Sequence, residues 1–432
     1  MTRIAMITAA FPYPPGEQFI EEEIRYWAAV PALELVLMPL VARGEPREIP
    51  SRIQLDLRLA QGCAAAHLWR FLLRALFHSV FWREVASVLR RKGFSAWCLA
   101  KAWHATAQML RVSQVLQACL AGQKFDLVYC YWNDSASLGA ALQKRLGTIP
   151  RLVTRIHNYE LYEEEAPHHY IPLKRQFVAD IDRFYAVSRQ GQAYLKRVYG
   201  VPANKATLSR LGVPVPEQMA TTSSGNALYV LSISFCVPHK RVDLIIEALA
   251  RLSEKLPEMD IYWTHLGAGP LHESLKDQAA SAFLWRNVHW SMPGHLSNAG
   301  VKLYLESQPV DLLLNASKNE GVPVSVMEAM SYGVPAVAPD VGGVAELVSA
   351  ECGCLMHHAP SAQELAEAIA ALLPRLKLPG LRVAARDKIC ADFHAGRNYA
   401  RFILRVLRDT ARLPARENLP GGRLVQSRKM AS

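Results

Sequence analysis

The stretch from Val310 to Glu346 constrains the fold most, because it reads as one complete strand-helix-strand unit. The apolar run Val310-Asp-Leu-Leu-Leu-Asn315 has the length and composition of a buried strand. Pro323 suits the first turn of a helix that ends near Gly333, and Val334 to Ala338 is predicted as the next strand. The same alternation recurs elsewhere. Arg3 to Thr8 reads as a strand, followed by a Pro/Gly loop and a helix near Gln18 to Ala29 with Glu21, Glu22 and Glu23 in its early turns. Asp126 to Tyr131, Arg151 to Ile156, Asp182 to Val187, Ala227 to Ile233 and Ile261 to Leu266 are further strands. Strands alternating with helices predict an α/β chain built on parallel, doubly wound sheets.

At 432 residues and 51% hydrophobic, the chain is long enough for two domains of roughly 200 residues each. Val213-Pro-Val-Pro216 and the small, polar Thr221-Thr-Ser-Ser-Gly225 form the best linker, which places domains at 1–215 and 216–395. A helix from near Arg397 is expected within a segment 396–415. Residues 416–432, with Pro420-Gly-Gly422 and no apolar period, are expected to be a disordered basic tail. Eight cysteines lack paired metal spacing, and Cys352-Gly-Cys354 alone is too short for a tetrahedral zinc site, so reduced thiols are expected. A signal peptide is not credible, and no uncharged apolar run reaches the roughly 18 residues that span a bilayer. The chain is therefore predicted to be cytoplasmic, with at most peripheral membrane contact.

The Val310–Glu346 unit also suggests chemistry. The backbone N–H groups of Val322, Val324 and Ser325 lie at a helix start, where unpaired donors and aligned dipoles favour an anion such as a diphosphate. A carboxylate on the adjoining loop, Glu320, suits sugar hydroxyls or a developing positive charge. Glu328, one to two turns into the helix, can accept both hydroxyls of a ribose. Ligands of open parallel sheets bind beyond the carboxyl ends of strands, and two such domains face each other across a cleft.

The spacing Glu320-x7-Glu328, with Gly321, Pro323, the Glu-Ala-Met run, Gly342-Gly343 and Glu346, resembles the signature of retaining GT-B glycosyltransferases of the GT4 family. Among them it is most similar to bacterial members that build capsule, exopolysaccharide and lipopolysaccharide, and the likeness runs from about Phe11 to Tyr399. The resemblance implies an α/β GT-B fold, with two Rossmann-like parallel-sheet domains facing an interdomain cleft and a C-terminal helix crossing back to the first. It implies a metal-independent, retaining hexosyltransferase without a cofactor. The donor would be a UDP-, GDP- or ADP-hexose and the acceptor a growing, lipid-linked, cell-surface glycan.

Residue by residue, Lys240 in Val237-Pro-His-Lys-Arg-Val matches the lysine that neutralises the departing diphosphate, although Phe235 stands where the family usually has an arginine. His157, in Thr154-Arg-Ile-His-Asn-Tyr-Glu160, resembles the histidine of a His-Gly-Tyr-Asp segment that reaches the transferred sugar; Asn158 replaces the glycine. Gly16 fills the glycine loop that approaches the donor phosphates, without the usual second glycine, and Glu17 borders the acceptor. Gly267 and Gly269 are expected near the nucleotide base. Gly321, Val322, Pro323, Val324 and Ser325 are expected around the donor, with Tyr131, Trp132 and Asn133 along the acceptor path. The rival readings are a silent subunit that scaffolds a partner transferase, or a transferase acting on a soluble sugar or sugar phosphate.

A net charge of +11 and a pI near 9.3 call for an acidic partner, and no nucleic-acid recognition motif accompanies the charge. Between Trp69 and Arg111, eight cations (Arg70, Arg74, Arg83, Arg90, Arg91, Lys92, Lys101, Arg111) face the single acid Glu84. They are interleaved with Trp69, Phe71, Leu72, Leu73, Phe77, Phe81, Trp82, Trp97 and Trp103. This pattern predicts basic amphipathic helices resting on an anionic membrane, the inner face of the plasma membrane. The alternative is that the aromatics are ordinary core and the arginines its solvated face.

Overall fold

The computed structural model describes residues 2–14 and 16–411. The tail expected over 416–432, and the end of the 396–415 segment, lie outside the described residues. Within them, the first sheet has strands β1 (Thr2–Thr8), β2 (Leu33–Pro39), β3 (Gln54–Leu55), β4 (Leu127–Cys130), β5 (Leu152–Ile156), β6 (Arg183–Ala186) and β7 (Ala206–Leu208). They lie in the order β3-β2-β1-β4-β5-β6-β7, all parallel. Around them run α1 (Ile20–Ala28), α2 (Arg58–Ala65), α3 (Leu68–Leu76), α4 (Ser79–Lys92), α5 (Ala96–Leu120), α6 (Ser135–Arg145) and α7 (Arg189–Tyr199).

The second sheet has β8 (Ala227–Ile233), β9 (Asp260–Leu266), β10 (Val288–Gly294), β11 (Leu312–Leu314), β12 (Ala336–Pro339) and β13 (Gly353–Met356), in the parallel order β10-β9-β8-β11-β12-β13. Its helices are α8 (Val242–Lys255), α9 (His272–Ala282), α10 (Asn298–Ser307), α11 (Val324–Ser331) and α12 (Ala362–Leu376), followed by α13 (Pro379–Asp392) and α14 (Ala395–Ala411). The chain is thus α/β, with two doubly wound parallel sheets.

Both faces of each sheet are covered, which is why the strands read as near-continuous apolar runs. On one face of the first sheet, Met109, Val112 and Leu116 of α5 pack on Val128 and Cys130. On the other, Ile24 and Trp27 of α1 meet Ile4, Met6 and Tyr129, together with Phe402 and Val406 of α14. The last helix therefore returns to the first sheet: Trp27 and Phe402 meet edge to face at 5.8 Å, and Asp409 accepts from Arg183 and from the Tyr185 hydroxyl. A fully buried ion pair, Arg155 with Glu23, sits beneath this contact, and the guanidinium lies 4.0 Å from the Phe402 ring centroid. Such a pair adds little net stability, but losing one partner would strand a buried charge. No helix among the described residues is long and apolar enough to cross a membrane.

Candidate active site

In each sheet the strand order reverses once, and the loops at that point diverge to leave a crevice. In the second sheet the reversal lies between β8 and β11, so the crevice is bounded by the loop after β8, which carries Lys240, and the loop after β11, which carries Glu320. The loops are stitched together by the Lys318 N–H donating to the His239 carbonyl at 2.8 Å. Lys240 Nζ then donates to Glu320 Oε1 at 2.6 Å, and Asn315 Nδ2 reaches the same oxygen at 3.2 Å. Two residues assigned separately to diphosphate and sugar form one ion pair. A bound anion would compete with Glu320 for the ammonium.

Pro323 caps α11 with extended backbone, and the first amide to bond within the helix is that of Met327, to the Pro323 carbonyl at 3.2 Å. The amides of Val324 and Ser325 therefore precede any intrahelical acceptor, at a helix start that directly follows the Glu320–Val322 loop. Gly342 and Gly343 hold this loop in place. A side chain at 342 would strike the Glu320 carbonyl at 1.7 Å, and the Gly343 N–H donates to the Gly321 carbonyl at 2.6 Å. Gly267 and Gly269 serve a similar purpose. Side chains there would collide with the Ser234 and Cys236 carbonyls, so both glycines let the loop after β9 close on the loop that carries Lys240. Close packing of these two loops by itself requires glycine at both positions.

Glu328 lies on α11, buried, and accepts from Asn298 Nδ2 at the start of α10. Burial pushes its carboxyl up to about 7, against the opposing effects of the Asn298 hydrogen bond and the Lys302 charge. At neutral pH it is poised between acid and carboxylate, a state that a hydroxyl-bearing ligand can shift.

The first sheet reverses between β1 and β4, and its crevice is bounded by the loops carrying Gly16, Glu17 and Trp132, with His157 just after β5. Here three expectations are corrected. Glu17 does not border an open acceptor path: its buried carboxylate accepts from the N–H groups of Ala9, Ala10 and Phe11 at 3.1, 2.7 and 2.6 Å, and from Trp132 Nε1 at 2.5 Å. A carboxylate so fully occupied closes the turn after β1, and it does so from a left-handed backbone with φ of 55°. Tyr131 is fully buried, stacked on His157 at 5.2 Å, and cannot line a path. Asn133 is buried too, with both its carbonyl oxygens taken by the Lys174 ammonium, because residues 131 and 133 point into the domain while Trp132 points out.

Gly16 has φ of 83° and open space where a side chain would stand. Trp132 is half-buried, 4.3 Å from the His157 ring and 5.2 Å from exposed Tyr159. His157 itself is fixed by Glu160, whose Oε1 accepts from the His157 N–H at 2.8 Å and from Nδ1 at 3.2 Å. Burial alone would raise the Glu160 carboxyl, but the hydrogen bond and charge of His157 and the charge of Lys174 hold it low and ionised. An ionised carboxylate accepts only, so Nδ1 carries the proton. Among the described residues Nε2 is left buried and without a partner, the kind of orphaned atom a ligand satisfies.

The two halves meet at this point. The loop of Gly321 passes so close to Asn158 that a side chain at 321 would come within 3.5 Å of its Cβ. Glu346 accepts from the Arg189 amide and from Arg210 at 2.8 and 3.1 Å, tying the second sheet's loops to the first. Sequence reasoning missed Asn298, Asn315 and the fixing role of Glu160, none of which carries a spacing signal. Phe235, in the position of the missing arginine, is 46% exposed. Among the described residues, no group of three or more His, Cys, Asp or Glu side chains is arranged to hold a metal.

Two family models match the chain in tandem: Glycosyltransferase Family 4 over residues 59–215 and Glycosyl transferases group 1 over 217–379. A chain of Escherichia coli named as a colanic acid biosynthesis glycosyltransferase, WcaL, is 28% identical over 268 residues, 60% of this chain and 65% of that one. The amylovoran biosynthesis glycosyltransferase AmsK of Erwinia amylovora is 28% identical over 254 residues, 56% of this chain and 58% of its own length. This chain thus spans less than two thirds of these relatives. Among solved structures, Anabaena HepE in complex with UDP-glucose superimposes with a TM-score of 0.62 at 16% identity, covering 95% of this chain and all of that one.

Proposed function

Because the chain belongs to the family 4 glycosyltransferases, with the GT-B fold, we propose that it moves a hexose, with retention, from a nucleoside-diphosphate sugar to a growing polysaccharide. The observation that carries this reading is the second-sheet crevice, where Lys240, Glu320 and the amides at the start of α11 converge. The diphosphate would sit on those amides, with Lys240 released from Glu320 to meet charge collecting on the leaving oxygen. Glu320 would then face the sugar and Glu328 the ribose. The acceptor hydroxyl attacks the anomeric carbon on the face from which the diphosphate departs. The bond to the diphosphate breaks with its electron pair, and the hydroxyl proton passes to that oxygen. His157 Nε2 meets the transferred sugar from the opposite side of the cleft. Orientation and electrostatics supply the catalysis, with no metal assigned a step.

The relatives named for colanic acid and amylovoran support a cell-surface polysaccharide as the product, and the UDP-glucose complex supports a uridine nucleotide among the donors to try first. A lipid-linked acceptor at the inner face of the plasma membrane fits the basic first domain. Thermal denaturation with a panel of UDP-, GDP- and ADP-hexoses tests the reading, since a ligand of the native state raises Tm. One donor should do so; a panel without any shift would remove the proposal.

A further inference from the structure

The outer face of α3 and α4 is unlike the rest of the first domain. Trp69 is 59% exposed, and Leu73, Leu76 and Phe77, the last 89% exposed, follow at helical spacings on one stripe. Trp82 of α4, 57% exposed, donates from Nε1 to the Leu76 carbonyl at 2.8 Å, so its ring extends the same surface. Beside the stripe, α2, α3 and α5 enclose an apolar groove of about 870 Å³, lined by Ala65, Leu73, Val115 and Ala118 and edged by Arg70 and Arg74. The single acid of the region, Glu84, points the other way. It is 4% exposed and accepts from the Tyr170 hydroxyl at 2.8 Å and from Gln176 at 2.6 Å. What remains outside on the described α3 and α4 is apolar side chains set among the exposed Arg70, Arg74, Arg83 and Arg90, with no second acid in these two helices.

Contiguous exposed apolar surface marks an interaction site. A cationic rim around exposed aromatic rings complements an anionic leaflet in both charge and apolar depth. We propose that this face docks on anionic phospholipid, with Trp69 and Phe77 entering the acyl boundary and Arg70 and Arg74 meeting phosphates. The inference rests on the reading of a lipid-linked acceptor and gives it an address. At the far end of α4, Arg91 pairs with Glu163 at 2.9 Å, Lys92 reaches the His168 carbonyl at 3.3 Å, and Trp97 stacks on His168 at 4.4 Å. That segment begins six residues after His157, so a docked α4 sets the first-domain edge of the cleft beside the leaflet. Arg91 and Lys92 thus brace a loop of the site and are poor choices for a charge-reversal test.

The test is co-sedimentation of the full chain with vesicles of phosphatidylcholine alone or with 30% phosphatidylglycerol (~30 mol% chosen to mimic an anionic leaflet). Binding should require the anionic lipid and weaken with salt. Arg70→Gln with Arg74→Gln should weaken it about 25-fold, at roughly fivefold for each basic residue near the surface. Phe77→Ser should weaken it as well, and should remove the blue shift of tryptophan fluorescence on adding vesicles. Equal binding to both vesicles, unchanged variants, or self-association that Phe77→Ser abolishes without any vesicle binding would overturn the proposal. Tm shifts with the nucleotide-sugar panel, measured on the same variants, separate the two claims. If vesicle binding holds while no donor binds, the transferase reading fails and the docking surface stands.

Discussion

Glu328 should make donor binding a proton-linked event. With its carboxyl pushed up to about 7 by burial, it is about half protonated at neutral pH in the free protein. Ribose hydroxyls donate hydrogen bonds and favour the carboxylate. If only the ionised form binds, affinity at pH 6 is about tenfold weaker than at pH 8, or about 1.4 kcal/mol. The ligand must be a nucleotide sugar, because a free terminal phosphate titrates near pH 6 and would mask the effect. Titration calorimetry at pH 6, 7 and 8, in buffers of different ionisation enthalpy, should show about half a proton released at pH 7. The free fold responds with the opposite sign. A carboxyl whose folded value lies above its ordinary 4.5 is preferred by the fold as the acid. Its contribution to stability is full below pH 4.5 and is lost as pH rises to about 7. Over that window the Tm of the ligand-free protein should fall relative to Glu328→Gln. The Gln variant should also lose the pH slope in affinity. An affinity that is flat or falls from pH 6 to 8, or a slope kept by Glu328→Gln, would refute the reasoning.

Lys240→Ala should lower kcat by about 10²–10³ with a much smaller change in donor affinity, since its charge is most valuable on the leaving diphosphate; steady-state kinetics showing full turnover would remove the role. Glu17→Ala leaves three backbone amides and the Trp132 indole without their acceptor, and should cost about 3 kcal/mol in chemical denaturation. A loss under about 0.5 kcal/mol would show that water replaces the carboxylate. Phe235→Arg should fold with an unchanged Tm, because the ring is exposed, and should raise kcat if one cation limits the departure of the diphosphate. A fall of several degrees in its Tm would mean that the ring supports the core.

Local signals in the sequence placed the central strands, but not β2, β3, β7, β10 or β13. The apolar run Ala227 to Ile233 is β8 residue for residue, and Pro323 stands where α11 begins. Strand order is not a local property. Lys240 and Glu320, 80 residues apart, meet because β8 and β11 are neighbours at a reversal that no single segment encodes. Asn298 reaches Glu328 because α10 runs from edge strand β10 back to β11, again a matter of strand order. Tyr131, Trp132 and Asn133 illustrate a different limit. At the end of an apolar strand, the residue that turns outward is set by pleat and register, so one of three expected path residues faces the cleft and two are core. Glu17 was legible as a polar loop residue, but its left-handed backbone and its capture by amides eight, seven and six positions earlier were not. In α3 and α4 the helical period was visible. Aromatics occur on both faces, Phe71 and Phe81 inward and Trp69, Phe77 and Trp82 outward, and only packing distinguishes them.

If the Lys240–Glu320 crevice acts at the anomeric carbon of a nucleotide sugar, donor cleavage depends on Glu320. The most direct test is nucleoside-diphosphate release across UDP-, GDP- and ADP-hexoses, for the natural chain and Glu320→Gln, with product configuration read by NMR and nucleotide affinity measured in parallel. One donor should turn over and give a product that keeps its anomeric configuration. Glu320→Gln should abolish that turnover with nucleotide affinity changed only a few-fold. Inverted product, no turnover of any donor, or loss of nucleotide binding in Glu320→Gln would contradict that role of the crevice.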